Sequence, residues 1–232
     1  GQESAKWIGK CPSCGQWNTF KELRVSADTG SQAARNAAVD MHRAMSHSGA
    51  KPMFLKDISS QDEPRIDMHD NELNRVLGGG LVRGSIVLLG GEPGIGKSTL
   101  TLQTVLNMPD RRILYVSGEE SAHQLKMRAM RINPDAADNV MILCETSLED
   151  IFKHITEVKP EFVVIDSIQT ISTADVDSSP GSVTQVRECA SALLRFAKTS
   201  GVPVLLIGHI NKEGTIAGPK ILEHIVDTVI QF

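Results

Sequence analysis

The sequence predicts an α/β protein whose mainly parallel sheet is covered on both faces by helices. Three observations predict it. Short continuous apolar runs recur at 85–89, 112–117, 140–144, 162–166, 202–208 and 225–232, each of strand length. Amphipathic stretches with helical periodicity separate them, and continuous rather than alternating apolar strands mean burial on both faces. The residues with chemical potential cluster just after these runs, at the carboxyl ends where open parallel sheets bind ligands.

Bulk composition agrees with a globular protein: 41% hydrophobic and 22% charged residues in a chain of 232. That length fits one sizeable domain plus an appendage. With 24 basic and 28 acidic residues the net charge is −4, so bulk charge gives no support to nucleic-acid binding, which would need a local basic surface. The apolar runs are too short to span a membrane, and no signal peptide is visible. The four cysteines do not form a secreted disulfide pattern. Cys11 and Cys14 are a close pair, whereas Cys144 and Cys189 lie in segments assigned to the core. This usage predicts a cytoplasmic protein.

Residues 1–25 are compositionally distinct. Cys11-Pro12-Ser13-Cys14-Gly15 is a C-x2-C knuckle, a tight turn that presents two thiolates to one metal ion, and the chain's two tryptophans, Trp7 and Trp17, flank it. Tetrahedral zinc needs four ligands, and three explanations stand for the missing two. Either the chain begins inside a four-cysteine ribbon, or His42 and His47 complete a site, or the pair binds no metal. Residues 15–41 form a wider gap than the usual finger spacing, which disfavours the histidines. Residues 26–50, rich in Ala, Ser and Gly, read as a linker.

The globular domain is expected over 51–232. Met53, Phe54, Leu55 and Ile58 predict a leading strand or turn docked on the core. Residues 71–77 form a short amphipathic helix stopped by Gly78-Gly79-Gly80. Beyond the first long helix, βα units alternate, with helices expected over 122–132, from Ser147 to about residue 158, and after Ser182. Ser147 with Asp150, and Ser182 with Gln185, have the spacing of capping boxes. Val183, Val186, Ala190, Leu193 and Ala197 form the buried stripe of the last of these helices.

The chemistry centres on Gly91-Glu92-Pro93-Gly94-Ile95-Gly96-Lys97-Ser98, followed by Thr99. The pattern G-x4-G-K-[ST] is a phosphate-binding loop. Its glycines let backbone N–H groups turn inward around a polyphosphate, and the following helix points its N-terminus at the same anion. Lys97 supplies a mobile charge for the β- and γ-phosphates, and the Ser98 hydroxyl can hold Mg²⁺. Strand, glycine loop and helix occur in the required order. Asp166 ends the strand 162–165 and is placed to hold Mg²⁺ beside Ser98, with Ser167 as a nearby hydrogen-bonding group. Glu119 and Glu120 end another strand. Either can polarise a water in line with the γ-phosphate, and the sequence does not choose between them. His209 follows the strand before it and is a candidate γ-phosphate sensor. Residues 211–220 and 172–181 could line a ring interior and touch single-stranded nucleic acid, with Lys212, Lys220 and Arg187 as the available charges.

Four stretches together carry a specific resemblance. They are Leu77-Gly78-Gly79-Gly80-Leu81-Val82-Arg83-Gly84-Ser85 leading into the phosphate loop, Tyr115-Val116-Ser117-Gly118-Glu119-Glu120-Ser121, Val164-Ile165-Asp166-Ser167-Ile168-Gln169-Thr170, and the tryptophan-flanked knuckle. The chain resembles the RadA (Sms) family of bacterial DNA-repair proteins over nearly its whole length. The resemblance implies a RecA-like P-loop ATPase core preceded by the second half of a four-cysteine zinc ribbon, assembling as a homo-hexameric ring on DNA. It also implies DNA-dependent ATP hydrolysis, coupled to branch migration of intermediates made by the RecA recombinase during homologous recombination, on single-stranded and branched DNA. Carried over residue by residue, Lys97 and Ser98 bind phosphate and Mg²⁺, Asp166 is the second Mg²⁺ residue, Glu119 and Glu120 occupy the catalytic carboxylate position, and Cys11 and Cys14 are the ribbon's second zinc pair. The family's first C-x2-C, its Lys-Asn-Arg-Phe-Gly motif and its protease-like domain have no counterpart in the sequence. The expected organisation is therefore a truncated ribbon at 1–25, a linker at 26–50, and a C-terminally truncated core at 51–232. The competing expectation is a RecA-like switch ATPase acting on protein partners without DNA.

Overall fold

The structure, a computed structural model, describes residues 54–57, 65–134, 139–209 and 219–232. Six parallel strands form one sheet in the order β3-β2-β4-β5-β1-β6, where β1 is Ile86–Gly91, β2 Ile113–Ser117, β3 Val140–Cys144, β4 Phe162–Asp166, β5 Val204–His209 and β6 Thr228–Gln231. The helices are α1 (Asn71–Val76), α2 (Lys97–Leu106), α3 (Ala122–Ile132), α4 (Leu148–Val158), α5 (Val183–Ser200) and the short α6 (Pro219–Leu222).

The strands are continuous apolar runs because both faces of the sheet are covered. Alternate residues divide into two clusters. Val87, Leu89, Ile113, Tyr115, Phe162, Val164 and Ile207 pack with Leu102, Val105 and Leu106 of α2 and Leu125 of α3. Ile86, Leu88, Leu114, Val116, Val163, Ile165 and Leu206 pack with Leu148, Ile151 and Ile155 of α4 and with Val186, Ala190 and Leu193 of α5. Every residue of β1, β2 and β4 is buried. The predicted α/β class, sheet type and two-sided cover are thus what the chain forms.

Several local expectations need correction. Phe54 and Leu55 are 74% and 85% exposed and do not dock on the core. Leu55 opens a single 3₁₀ turn, Leu55–Asp57, with Phe54 just before it, and the cover expected from them comes instead from Ile66, Met68 and Leu81, with Ile66 and Leu81 bridged antiparallel. Met53 and Ile58 lie outside the described residues. Cys144 is exposed, because β3 is an edge strand and Cys144 is its last residue, whereas Cys189 is buried as expected. Val183 is also exposed, since the first position of α5 faces out before the helix reaches the sheet.

The caps differ in a way that matters for the loops. Ser121, not singled out from the sequence, makes the complete capping box, with Gln124 returning to its N–H. Ser147 and Ser182 each accept from the third residue on, but only half of each box forms. Gln185 spends its side chain elsewhere. It accepts from Thr173 N–H at 2.9 Å and donates to the carbonyls of Thr173, Val176 and Ser178. Glu149 adds bonds to Thr173 Oγ1 and Ala174 N–H. The segment after β4 is therefore pinned to α5 and α4.

Candidate active site

The parallel register brings the strand ends to one edge. Ser117 lies opposite Asp166, Asp166 opposite Ile207, and Gly91 opposite His209. The residues that follow β1, β2, β4 and β5 therefore converge, although up to 118 positions separate Gly91 from His209 in the sequence.

The phosphate loop connects β1 to α2. Gly94 and Gly96 have φ of 79° and 109°, a region that disfavours any residue with a Cβ. Gly96 is the N-cap of α2 and offers no side-chain cap, so the first N–H groups of the helix stay available for an anion. Lys97 is buried, 3% exposed, and its Nζ donates to the carbonyls of Gly91 and Glu92, each at 2.8 Å. Burial lowers its proton affinity, and the carboxylates of Asp166 and Glu119 act in the opposite sense.

Asp166 is 4% exposed. Tyr115 donates to its Oδ2 at 2.6 Å, and the Ser98 hydroxyl is also hydrogen-bonded to the carboxylate. Burial raises Asp166 above the usual carboxylate range. The bonds from Tyr115 and Ser98 pull it back, Glu119 raises it further, and His209 lowers it. Tyr115 is itself held protonated, chiefly by burial and then by Asp166, so it stays a donor.

The geometry separates the two glutamates. Glu119 Oε1 accepts from the Ser167 hydroxyl at 2.6 Å and lies 3.2 Å from His209 Nε2, which places it beside Asp166 and Lys97. Glu120 turns away. Its carboxylate pairs with Arg128 of α3 at 2.8 Å, and its N–H donates to Ser117 Oγ at 3.0 Å. The turn carrying both is tightly seated. Gly118 N–H donates to Asp166 O, and a Cβ at Gly118 would lie 2.0 Å from Thr170 Oγ1.

The sequence reading gave no role to Tyr115, Ser117, Arg128 or Thr170, although all but Arg128 stand in the stretches that carry the family resemblance. Tyr115 was the most accessible of them, as the chain's sole tyrosine set in an aliphatic strand, but its register against Asp166 is a tertiary fact. Pro93 lies in the loop and Thr99 in the first turn of α2, and both are exposed. Arg187 is exposed on α5. Residues 211–218 lie outside the described residues, as do Cys11, Cys14, His42 and His47, and nothing is described of the Lys220 side chain. Among the described residues, no group of three or more His, Cys, Asp or Glu is placed to hold a metal.

Residues 52–215 match the protein family described as an AAA domain. The chain belongs to the AAA domain family. Its nucleotide and Mg²⁺ are those implied by this P-loop ATPase family, and the Ser98 hydroxyl bonded to the Asp166 carboxylate fits a hard cation that takes oxygen ligands. Residues 1–22 match a second family, described as a rubredoxin metal-binding domain, in agreement with the ribbon read at the knuckle. The AAA chain is 48% identical over 240 residues to the DNA repair protein RadA of Bacillus subtilis, covering 100% of this chain and 50% of the relative. It is 49% identical over 236 residues to RadA of Listeria monocytogenes and 48% over 228 to RadA of Escherichia coli, covering 100% and 98% of this chain and 49% of each relative. These relatives bear out the RadA (Sms) resemblance. The chain spans about half their length. A KaiC-like protein of Pyrococcus horikoshii shares the fold, with a TM-score of 0.57, 21% identity, and coverage of 72% of this chain and 79% of that one. Among the described residues, no helix is long and apolar enough to cross a membrane.

Proposed function

We propose that the chain is the RecA-like core of a DNA-dependent ATPase in which Glu119 is the catalytic base. The observation that carries this reading is the position of Glu119, hydrogen-bonded to Ser167 and His209 beside Asp166 and Lys97. Loop residues 91–99, with the N-terminus of α2, cradle the phosphates. Lys97 exchanges its bonds to the Gly91 and Glu92 carbonyls for phosphate oxygens. Ser98 and Asp166 hold Mg²⁺, which when bound neutralises phosphate charge, and Tyr115 keeps Asp166 oriented. Glu119 takes a proton from the attacking water as its oxygen bonds to the γ-phosphorus, and the bond to the β-phosphate oxygen breaks. His209, one hydrogen bond from Glu119, reports the γ-phosphate.

The names of the relatives support a role in DNA repair. The family resemblance implies the finer reading that belongs to this proposal: action on single-stranded and branched DNA, with branch migration of RecA-recombinase intermediates during recombination by a homo-hexameric ring in the cytoplasm. The domain organisation is a ribbon half at 1–25 binding Zn²⁺ through Cys11 and Cys14, a linker at 26–50 and the core from 51. The pinned segment after β4 carries exposed Asp175 and Asp177, so DNA contact falls to other surfaces such as Arg187 and the residues after β5.

The test is ATP turnover with and without single-stranded DNA over a range of salt. Stimulation by DNA, weakening as salt rises, is expected. Turnover that ignores DNA at every salt concentration would contradict the DNA-dependent reading and favour a switch ATPase that acts on proteins.

A further inference from the structure

Strand order gives the nucleotide a direction. β5, β4 and β2, which carry His209, Asp166 and Glu119 at or just beyond their ends, all lie on one side of β1, and β6 lies on the other. With the terminal phosphate facing those three residues, the ribose and base leave the loop toward β6. That flank carries two apolar side chains, Ile95, which is 38% exposed, and Phe232.

The two meet beside Gly91. Phe232 follows β6 directly, and its N–H donates to Gly90 O at 2.8 Å, which extends the β1–β6 register by one residue. A Cβ built on Gly91 would lie 2.6 Å from Ile95 Cδ1 and 3.3 Å from Phe232 Cβ. Two large apolar groups therefore share one point on the side of the loop away from the catalytic carboxylates. An aromatic residue rooted there supplies a ring whose face suits a nucleobase, since stacking needs only a π-surface.

We propose that Ile95 and Phe232 form the platform for the base of the bound nucleotide, with Phe232 stacking on its face. This rests on the phosphate-loop reading above and adds the recognition of the base to it. Binding of Mg²⁺–ADP and of inorganic tripolyphosphate to the 232-residue chain, measured by calorimetry, separates the two. Phe232→Ala is expected to weaken ADP by about 5- to 150-fold, the range of a lost aromatic–base stack. Tripolyphosphate affinity stays unchanged, and Phe232→Tyr retains both affinities. Phe232→Trp is expected to gain emission that ADP quenches and tripolyphosphate does not, beyond the response of Trp7 and Trp17 in the parent chain. Equal loss of both ligands in Phe232→Ala, no loss of either, or a Trp signal blind to ADP would overturn the platform. A parent chain that binds neither ligand would overturn the phosphate loop as well, whereas a parent that binds both beside an indifferent Phe232→Ala removes only the platform.

Discussion

Exchanging each glutamate of the pair for glutamine, one at a time, probes the site most finely. Glu119→Gln keeps shape, and its amide oxygen can still accept from Ser167, now at 2.6 Å from the carboxylate. What it loses is the ability to take a proton. General-base catalysis contributes about 10²–10⁴-fold, or roughly 3–5 kcal/mol of barrier, so single-turnover hydrolysis should fall by that factor with ATP affinity nearly unchanged. Glu120→Gln instead breaks the 2.8 Å pair with Arg128, whose two side chains are 25% and 24% exposed. An ion pair so accessible contributes about 0.5–1 kcal/mol, so Tm should drop by a few degrees while turnover stays within about threefold of the parent. Rapid-quench hydrolysis and thermal unfolding of the two variants measure both effects. An inactive Glu120→Gln beside an active Glu119→Gln would refute the assignment.

Three further outcomes follow from the same geometry. Gly118→Ala places a Cβ 2.0 Å from Thr170 Oγ1, which is itself bonded to Ser167 O, so the turn must shift; a displacement of about 1 Å at Glu119 predicts roughly a 10²-fold loss of kcat with ATP binding retained. Asp166 is raised above its ordinary value of 3.8 by burial, so the folded chain keeps this proton after the unfolded chain has lost it. Ligand-free stability therefore falls as pH rises from about 3.8 through the folded value, and Asp166→Asn should raise the ligand-free Tm near neutral pH while abolishing Mg²⁺-dependent turnover. Gln185→Ala removes a buried amide that holds three carbonyls and one N–H, costing about 1–3 kcal/mol, and should speed amide exchange across 172–178, as read by hydrogen–deuterium exchange.

Local chemistry made much of this legible beforehand. Strands buried on both faces read as continuous apolar runs, so Phe162 to Asp166 announced both a strand and the carboxylate at its end. The phosphate loop needs its glycines and lysine in consecutive positions, and a short window contains them all. What stayed hidden depended on partners distant in sequence. Glu119 and Glu120 are neighbours, and the choice between them was made by Arg128 on α3 and by Ser167 and His209 across the sheet. Gln185 had the spacing of a cap, but the loop after β4 offered its amide more partners than the helix end. Cys144 looked like core because its strand is apolar, and only the strand order made that strand an edge. Phe54 and Leu55 have apolar composition without a place in the packing, which Ile66 and Leu81 fill.

The central claim is that this loop binds and turns over ATP, and Lys97 tests it most directly. Its ammonium, held at 2.8 Å from the carbonyls of Gly91 and Glu92, is the charge proposed to meet the phosphates. Steady-state phosphate release by the Lys97→Ala chain, with and without single-stranded DNA, is predicted to fall by about 10²–10³-fold or more under both conditions. Release at the parent's rate would contradict the site as a whole.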